Sequence, residues 1–449
     1  MAQAVSDHEG TSPPRTDLAH QAHWVYPGMG LLFAAIVACF MAWGIAADLT
    51  TPMVAGFKRI FDMTTFQASL VQLAYFGAYF LLALPAAFIN KRFGYKTGLL
   101  TGLALAAAGS FLFYPASKIM TYEAFLIALF AIAAGASILE TSANPYVIAL
   151  GPEETATRRL NLAQAFNPVG TNIGVLLAAT VILPKLDAPV DLSSATPAQL
   201  QEIRAEQLSA VMGPYIGLGL LLVLIWVLIA VQKAPKIVEE FPDVGDLSTG
   251  ELFKILWRNR RYRFGVIAQF FNVAAQVSVW TYIIAYVQQA INGSLSLGGY
   301  VLQISLIVFL ISRFVMTWVI GRVRPTKALA ALAGLAVLLC LYAVLVPNLS
   351  GVIALVAVSF CLSLMFPTIY GVSLKGLGPA TKFGAAGLVM AIVGGAIMPL
   401  IQGRLLDATS ASTSFVVPAV SFAVVAAFAV YDLRAKEDIH ISSAAEVAA

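Results

Sequence analysis

Apolar residues occur in long runs separated by shorter polar segments. The first runs cover about 26–49, 64–89, 97–115, 122–150, 160–183 and 209–232. The later runs cover about 263–290, 298–321, 327–346, 350–374, 382–403 and 413–432. A helix that crosses the hydrocarbon core of a bilayer needs about 20 predominantly apolar residues. The pattern therefore predicts a polytopic membrane protein of twelve transmembrane helices, all of them α-helical.

The polar segments divide these helices into two sets of six. Residues 1–23 are polar and are expected to form an N-terminal tail, and 433–449 a C-terminal one. The longest internal polar segment is a basic central loop at 233–262. It separates a predicted N-terminal six-helix bundle, 24–232, from a C-terminal one, 263–432.

Composition excludes several classes of protein. Hydrophobic residues make up 59% of the chain and charged residues 11%, with a mean hydropathy of +0.84. Soluble proteins carry about 25% charged residues, so a soluble enzyme, a nucleic-acid binder and a disordered chain are excluded. All histidines lie in the polar tails, and no phosphate-binding Gly-Lys-Ser/Thr loop occurs. We therefore expect no metal site, no cofactor and no ATP-driven transport.

The distribution of basic residues predicts the orientation in the membrane. Cytosolic loops of membrane proteins carry an excess of Lys and Arg. With the N-terminus inside, the cytosolic segments hold 20 of the 27 Lys and Arg residues, and the opposite side holds six. Both termini are therefore expected in the cytosol.

Two short motifs recur at nearly equal spacing in the two halves. The segment 90–96 (NKRFGYK) matches 321–327 (GRVRPTK), and 150–152 (LGP) matches 377–379 (LGP). Chance explains either match alone more easily than both, so the pair favours a duplicated unit, as in many transporters. Arg92 and Arg322 lie in the first motif, and Arg159 follows the second. We expect these three arginines to take part in gating.

Three ionisable residues lie deep in apolar runs: Asp48, Glu140 and Arg313. Such residues are costly in a bilayer, by about 2.5–3.5 kcal/mol on insertion scales, and they commonly mark ion pathways. Burial disfavours the charged form of a carboxylate, so Glu140 is a candidate for proton exchange near neutral pH. The alternative is a structural carboxylate beside Pro145. Arg313 is equally consistent with a cavity residue and with an anchor that binds helix carbonyls.

Amide side chains form stripes at helical spacing in both halves. Gln164 and Asn167 lie on one predicted helix, with Asn144 one turn after Glu140, and Gln72 lies on another. Helix seven carries Gln269, Asn272, Gln276 and Trp280. Amides both donate and accept hydrogen bonds, as hydroxyl-rich ligands require, and an indole can stack on a sugar ring. Amides also join helices to one another, but stripes in both halves favour a sugar or polyol cavity.

These residues resemble one family of transporters. The stretches 67–72 (QASLVQ), 139–146 (LETSANPY), 150–153 (LGPE) and 159–167 (RLNLAQAFN) are similar to the fucose–galactose–glucose:proton symporters of the major facilitator superfamily, and within them to the L-fucose permease group. The similarity runs from about residue 43 to the last helix.

The resemblance implies a fold and roles for particular residues. The fold would be two six-helix bundles that rock about a central sugar site. Glu140 would be the coupling glutamate, Asn167 a sugar-contacting asparagine and Trp280 a pocket tryptophan. The family's first-helix aspartate aligns with Thr51, while this chain has Asp48 three residues earlier. A pocket tyrosine before the helix-ten proline is replaced by Phe366.

The sequence thus predicts a proton-coupled importer of a monosaccharide such as L-fucose or a related hexose. Its partners would be the sugar, protons and the lipid bilayer, without nucleic acid, and the chain would be a monomer in a bacterial inner membrane. A sugar uniporter or a drug-type exporter of the same superfamily is the first alternative, although an exporter pocket would hold fewer amides. A non-transporting sugar sensor is the second, although such sensors often carry longer cytosolic extensions.

Overall fold

A computed structural model describes residues 24–60, 65–177, 180–181, 197–232 and 247–435. Within these ranges, side chains are not described at 48, 50–60, 65–73, 197–211 and 295–296. The N-terminal tail, most of the C-terminal tail and residues 233–246 of the central loop lie outside the described residues. All the regular secondary structure that is described is helical.

The first half consists of long helices and one pair of short helices. Its bounds are α1 Gly30–Ile60, α2 Thr65–Ile119, α3 Tyr122–Ala149, α4 Glu153–Gln164, α5 Asn167–Leu177 and α6 Pro197–Ala230. The second half is preceded by the short helix α7, Thr249–Arg258. It then comprises α8 Arg260–Ile291, α9 Leu295–Val319, α10 Pro325–Leu345, α11 Leu349–Leu362, α12 Met365–Leu374, α13 Thr381–Met390, α14 Gly394–Ala408, α15 Ala411–Ser414 and α16 Val416–Arg434.

The predicted second and third helices are joined more tightly than the sequence indicated. The basic loop expected at 90–96 is absorbed into α2, whose only non-helical residue is Gly94. Gly94 has a φ of +84°, a backbone conformation that glycine adopts without the penalty of a Cβ. The apolar stretch Ala74–Ile119 is 46 residues long, enough for two crossings that meet at this kink.

Several predicted helices are interrupted partway along. The fifth is broken at Ala165 and Phe166 into α4 and α5, and the tenth at Ser363 and Leu364 into α11 and α12. The eleventh contains a short 3-10 turn, Ala391–Val393. Broken helices at membrane depth are tolerated where protein or a water-filled cavity surrounds the freed backbone groups. These interruptions therefore indicate where a cavity can form.

Small residues allow α1 and α5 to approach closely. A Cβ on Gly170 would collide with the backbone of Met41, and one on Gly44 with the backbone of Asn167. Glycine at these positions therefore brings the two helix backbones together, which fixes the start of α5 against α1.

The two halves meet along their central helices. α2 packs on α13, and the α4–α5 pair packs on α9 and α12. We call the end of the molecule where the central segment joins the halves the linker end. There Arg158 Nε donates to the Thr317 carbonyl at 3.2 Å, and Phe88 packs edge-on against Phe383 at 5.0 Å between ring centroids. The halves are thus in contact at the linker end.

The central loop differs from the expectation in one respect. Its second part, predicted as polar loop, contains α7, and α8 begins within it at Arg260. Leu252 and Leu256, four residues apart, are both buried. Their burial stabilises α7 as a helix, although the charged residues around them favoured a loop.

Candidate functional site

Glu140 lies on the inner face of α3 and is only 1% exposed. It lines a narrow cleft between α1 and α3 together with Cys39, Phe40, Trp43, Leu139 and Ala143. Among the described residues, neither carboxylate oxygen has a hydrogen bond of good geometry, and the donor that interacts with Glu140 is the Asn144 amide. A buried carboxyl group without hydrogen bonds of good geometry is costly to the fold, which makes Glu140 a candidate for a functional rather than a structural role.

A chain of hydrogen bonds runs beside Glu140 and crosses between the halves. Gln164 Nε2 donates to Asn144 Oδ1 at 2.8 Å. Arg313 Nη1 donates to the Gln164 backbone carbonyl at 2.9 Å and approaches Gln164 Oε1 at 3.4 Å. Asn144 and Arg313 are also the polar groups that interact electrostatically with Glu140. The predicted residues Asn144 and Gln164 are therefore brought together with the carboxylate.

The sequence left open whether Arg313 faces a cavity or anchors a helix by binding carbonyls. It is 6% exposed and binds a carbonyl, as an anchor would, but that carbonyl belongs to the other half of the molecule. Its guanidinium also lies over the ring of Phe309, with Cζ 4.7 Å from the ring centroid. Arg313 thus joins α9 to the broken helix α4–α5 within electrostatic range of Glu140.

Trp280 reaches this network through Phe309. The two rings are edge-to-face with centroids 5.0 Å apart, and Arg313 covers Phe309 as well. Trp280 Nε1 donates to Ser359 Oγ at 3.1 Å, so the indole N–H is engaged within the second half. The part of Trp280 that is open to a ligand is the face of the indole ring, which is half-buried.

The other predicted amides of α8 have a different environment. Gln269 and Asn272 are fully buried, and none of their side-chain polar atoms has a hydrogen-bond partner within the part of the chain that the structure describes. Gln276, one turn on, is half-buried. A buried amide without partners costs about 1–3 kcal/mol. These groups therefore hold hydrogen-bonding capacity that the fold does not use.

Asn167 lies at the first residue of α5, next to the break in the fifth helix. Its Nδ2 donates to the Phe40 carbonyl at 3.3 Å, and Phe40 lines the Glu140 cleft. The break thus places Asn167 against α1, next to a residue of the Glu140 cleft. Asp48 and Gln72 lie on α1 and α2, but their side chains are outside the described residues.

The three predicted gating arginines have different surroundings. Arg159 is fully buried and donates to carbonyls of the turn between α3 and α4, including Val147 at 2.7 Å, and to the Trp24 carbonyl at 2.9 Å. Arg322 lies over Trp318 at 3.6 Å, and Arg92 over Phe93 at 5.2 Å. At the linker end the halves are joined by Arg158, which is not one of these three.

Two residues of the site were missed from the sequence. Phe309 was one apolar residue among many on its helix. Tyr370 lies one helical turn after Phe366, fully buried and within electrostatic range of Glu140. Its ring stacks on Phe366 with centroids 6.2 Å apart. The signal in the sequence is that Tyr370 follows Phe366, the residue at the position of the family's pocket tyrosine, by one helical turn.

Comparisons with known proteins agree with this architecture. The family model described as Major Facilitator Superfamily matches residues 31–393. An L-fucose-proton symporter of Haemophilus influenzae is 38% identical over 416 residues, covering 90% of this chain and 96% of that protein. A glucose/galactose transporter of Brucella abortus is 34% identical, covering 93% of this chain and 97% of its own.

A solved structure shows the same fold at similar identity. The crystal structure of a transporter of this superfamily, FucP, in the outward conformation is 37% identical with a TM-score of 0.84, covering 89% of this chain and 98% of that one. That fold and the family match confirm the expected architecture of two six-helix bundles. The chain therefore belongs to the Major Facilitator Superfamily, and it is a multi-pass membrane transporter rather than an enzyme.

Proposed function

We propose that this chain is a proton-coupled monosaccharide importer that works by alternating access. The observation that carries the proposal is the pairing of two features among the described residues. A buried carboxylate, Glu140, has no hydrogen bond of good geometry, and the buried amides of Gln269 and Asn272 lack partners. The first feature suits a proton carrier, and the second suits a ligand rich in hydroxyl groups.

Glu140 is the proposed coupling group. One proton that crosses a membrane potential of roughly 150 mV supplies about 3.5 kcal/mol. This corresponds to a few-hundred-fold accumulation of sugar, since 1.36 kcal/mol is a factor of ten. One carboxylate is therefore sufficient energetically. Asp48, on the first helix, is proposed as a second coupling carboxylate.

The proposed sugar site lies between the halves. Asn167 and Trp280 contact the sugar, and Gln276, Asn272 and Gln72 supply further hydrogen bonds. Asn144 and Gln164 position the carboxylate and Arg313 through the hydrogen bonds described above. The similarity to L-fucose-proton symporters supports L-fucose or a related hexose as the substrate.

We also propose an orientation in the membrane and an oligomeric state. The basic residues favour a cytosolic linker end and two cytosolic termini in a bacterial inner membrane. Arg92, Arg159 and Arg322 are then at the cytosolic ends of the helices, where they hold turns that move during gating. The transporter is proposed to act as a monomer with the domain division at 24–232 and 263–432.

Uptake into vesicles tests this function. Purified protein in proteoliposomes is given labelled L-fucose, D-galactose, D-glucose, D-xylose or an N-acetylhexosamine, with and without an inward proton gradient. We expect one or two hexoses to accumulate at least tenfold only when the gradient is present. Equal uptake in both conditions would show a uniporter, and gradient-driven extrusion of a lipophilic cation would show an exporter.

A further inference from the structure

The short helix α7 at the linker end has no part in the proposed transport cycle. It begins at a capping box, in which Ser248 N donates to Glu251 Oε2 at 2.7 Å and Glu251 N donates to Ser248 Oγ at 3.3 Å. These hydrogen bonds hold the pKa of Glu251 below its usual value. The start of α7 is therefore fixed by a capping box, which is typical of a stable helix rather than of an irregular linker.

Side chains divide α7 into three faces. Leu252 and Leu256 are buried, where α7 packs on α13. Phe253 and Trp257, four residues apart, are 42% and 73% exposed. Residues Lys254 and Arg258, also four apart, form a basic face. An exposed aromatic face beside a basic face is typical of a helix that lies in a membrane interface.

The aromatic face lies next to the start of a membrane-spanning helix. Trp257 is covered by Arg263 of the first turn of α8, with Cζ 5.7 Å from the ring centroid. The next residue, Phe264, is 41% exposed and packs edge-on against Tyr431 near the end of α16. Trp257 is therefore at the level where the candidate spans of α8 and α16 end. Tryptophan is enriched at this level in membrane proteins.

Charge around α7 is almost entirely positive within the described residues 248–263. The cations are Lys254, Arg258, Arg260, Arg261 and Arg263, against the single carboxylate of Glu251. Arg261 is paired with Asp432 at 2.7 Å. Lys254, Arg258 and Arg260 are exposed and have no ion-pair partner among the described residues. They are available to a negatively charged surface.

We propose that α7 lies in the headgroup layer of the leaflet at the linker end, where it binds acidic phospholipids. Trp257 inserts between the lipids, and Lys254, Arg258 and Arg260 bind the phosphates. The leaflet is the cytosolic one if the proposed orientation holds, whereas the lipid contact itself does not depend on sugar transport. A cation near such a surface strengthens binding by about fivefold.

Site-specific fluorescence tests the placement of α7. The three native cysteines are all buried, so a single added cysteine, Trp257→Cys, can be labelled selectively with an environment-sensitive dye. The full-length protein is placed in vesicles that contain spin-labelled phosphatidylglycerol or spin-labelled phosphatidylcholine. We expect strong quenching at position 257 and at least threefold weaker quenching at Lys254→Cys, the matched position on the basic face. Equal quenching at the two positions, or none at 257, would overturn the proposal.

A charge-matched pair of variants tests the lipid preference. Lys254→Gln with Arg258→Gln removes two cations from α7, and Lys118→Gln with Arg404→Gln removes two elsewhere. We expect spin-labelled phosphatidylglycerol to quench position 257 at least threefold more than phosphatidylcholine. The first pair should abolish this preference, and the second should leave it intact. A preference that survives the first pair, or is lost equally in both, would contradict lipid binding by α7. Sugar uptake by each variant shows that it is folded.

Discussion

The two walls of the proposed cavity use the same residue types in opposite ways. On the first half, the Gln164 side chain donates to Asn144 at 2.8 Å, and its Oε1 lies 3.4 Å from Arg313 Nη1. On the second half, Gln269 is equally buried and has no partner among the described residues. One wall is therefore a network of polar contacts beside Glu140, whereas the other holds unpaired groups that suit a ligand.

The largest difference is expected between two leucine substitutions, one on each wall. Gln164→Leu leaves Asn144 Oδ1 without its donor and removes the longer contact of Arg313 at 3.4 Å, while the backbone carbonyl that Arg313 binds is retained. A buried polar group left unpaired costs about 1–3 kcal/mol, so we expect a clear fall in the thermal midpoint in detergent. Gln269→Leu removes only unpaired atoms and should leave the midpoint unchanged or raise it.

Gln269→Leu should impair sugar binding although it leaves the stability of the protein unchanged. We expect Gln269→Leu to fold normally and to bind sugar at least tenfold more weakly, as measured by isothermal calorimetry on purified protein. If both leucine variants destabilise the protein equally, the two walls do not differ as described.

A second prediction concerns the charge at Arg313. Arg313→Lys retains the positive charge but loses the planar group that binds the Gln164 carbonyl and covers Phe309. We expect proton-driven uptake to fall about tenfold, with the sugar affinity changed less than threefold. Thr317→Val, one turn further along the same helix, serves as the control and should retain uptake. Wild-type uptake by Arg313→Lys would show that only the charge matters.

A third prediction concerns sugar contacts at the two sides of the cavity. Asn167→Ala and Trp280→Ala should each weaken sugar binding about tenfold, because an unpaired sugar hydroxyl costs about 1–3 kcal/mol and the indole face is lost. Both variants should still insert into the membrane. Unchanged affinity in a purified, monodisperse variant would remove that residue from the proposed site.

A fourth prediction concerns Asp48, whose position differs by three residues from the expected one at Thr51. Residues three apart lie about 60° apart on a helix. If Asp48 performs the coupling role, Asp48→Asn should reduce uptake severalfold, and Asp48→Asn with Thr51→Asp should restore part of it. Proton-driven uptake that is unimpaired in Asp48→Asn would leave Glu140 as the only coupling carboxylate.

Much of the architecture was predictable because membrane burial imposes a strong pattern. Long apolar runs specify helices with few alternatives, since a bilayer requires every backbone hydrogen bond to be satisfied. The cost of a charge at depth also made Glu140 and Arg313 conspicuous. The helix breaks have a signal in the sequence, because Pro168 and Pro367 lack the N–H that would bind the carbonyls of Gln164 and Ser363. The group that binds the freed Gln164 carbonyl, Arg313, was not predictable.

Partners within the site were likewise beyond a single sequence. The contact of Arg313 with Gln164 joins residues 149 positions apart, and helical periodicity says nothing about which faces meet. Phe309 and Tyr370 were missed for this reason, since each is one apolar or aromatic residue among many. The helix α7 was missed because the six charged residues of 248–263 are typical of a solvent-exposed loop.

Sugar counterflow and uphill accumulation by Glu140→Gln test the central claim most directly. This substitution keeps the shape and the hydrogen-bonding atoms of the side chain but removes the titrating proton. In proteoliposomes with an imposed proton gradient, the account predicts that accumulation disappears while exchange of labelled for unlabelled sugar persists. A Glu140→Gln protein that still concentrates sugar against its gradient would contradict the assignment of Glu140 as the coupling group.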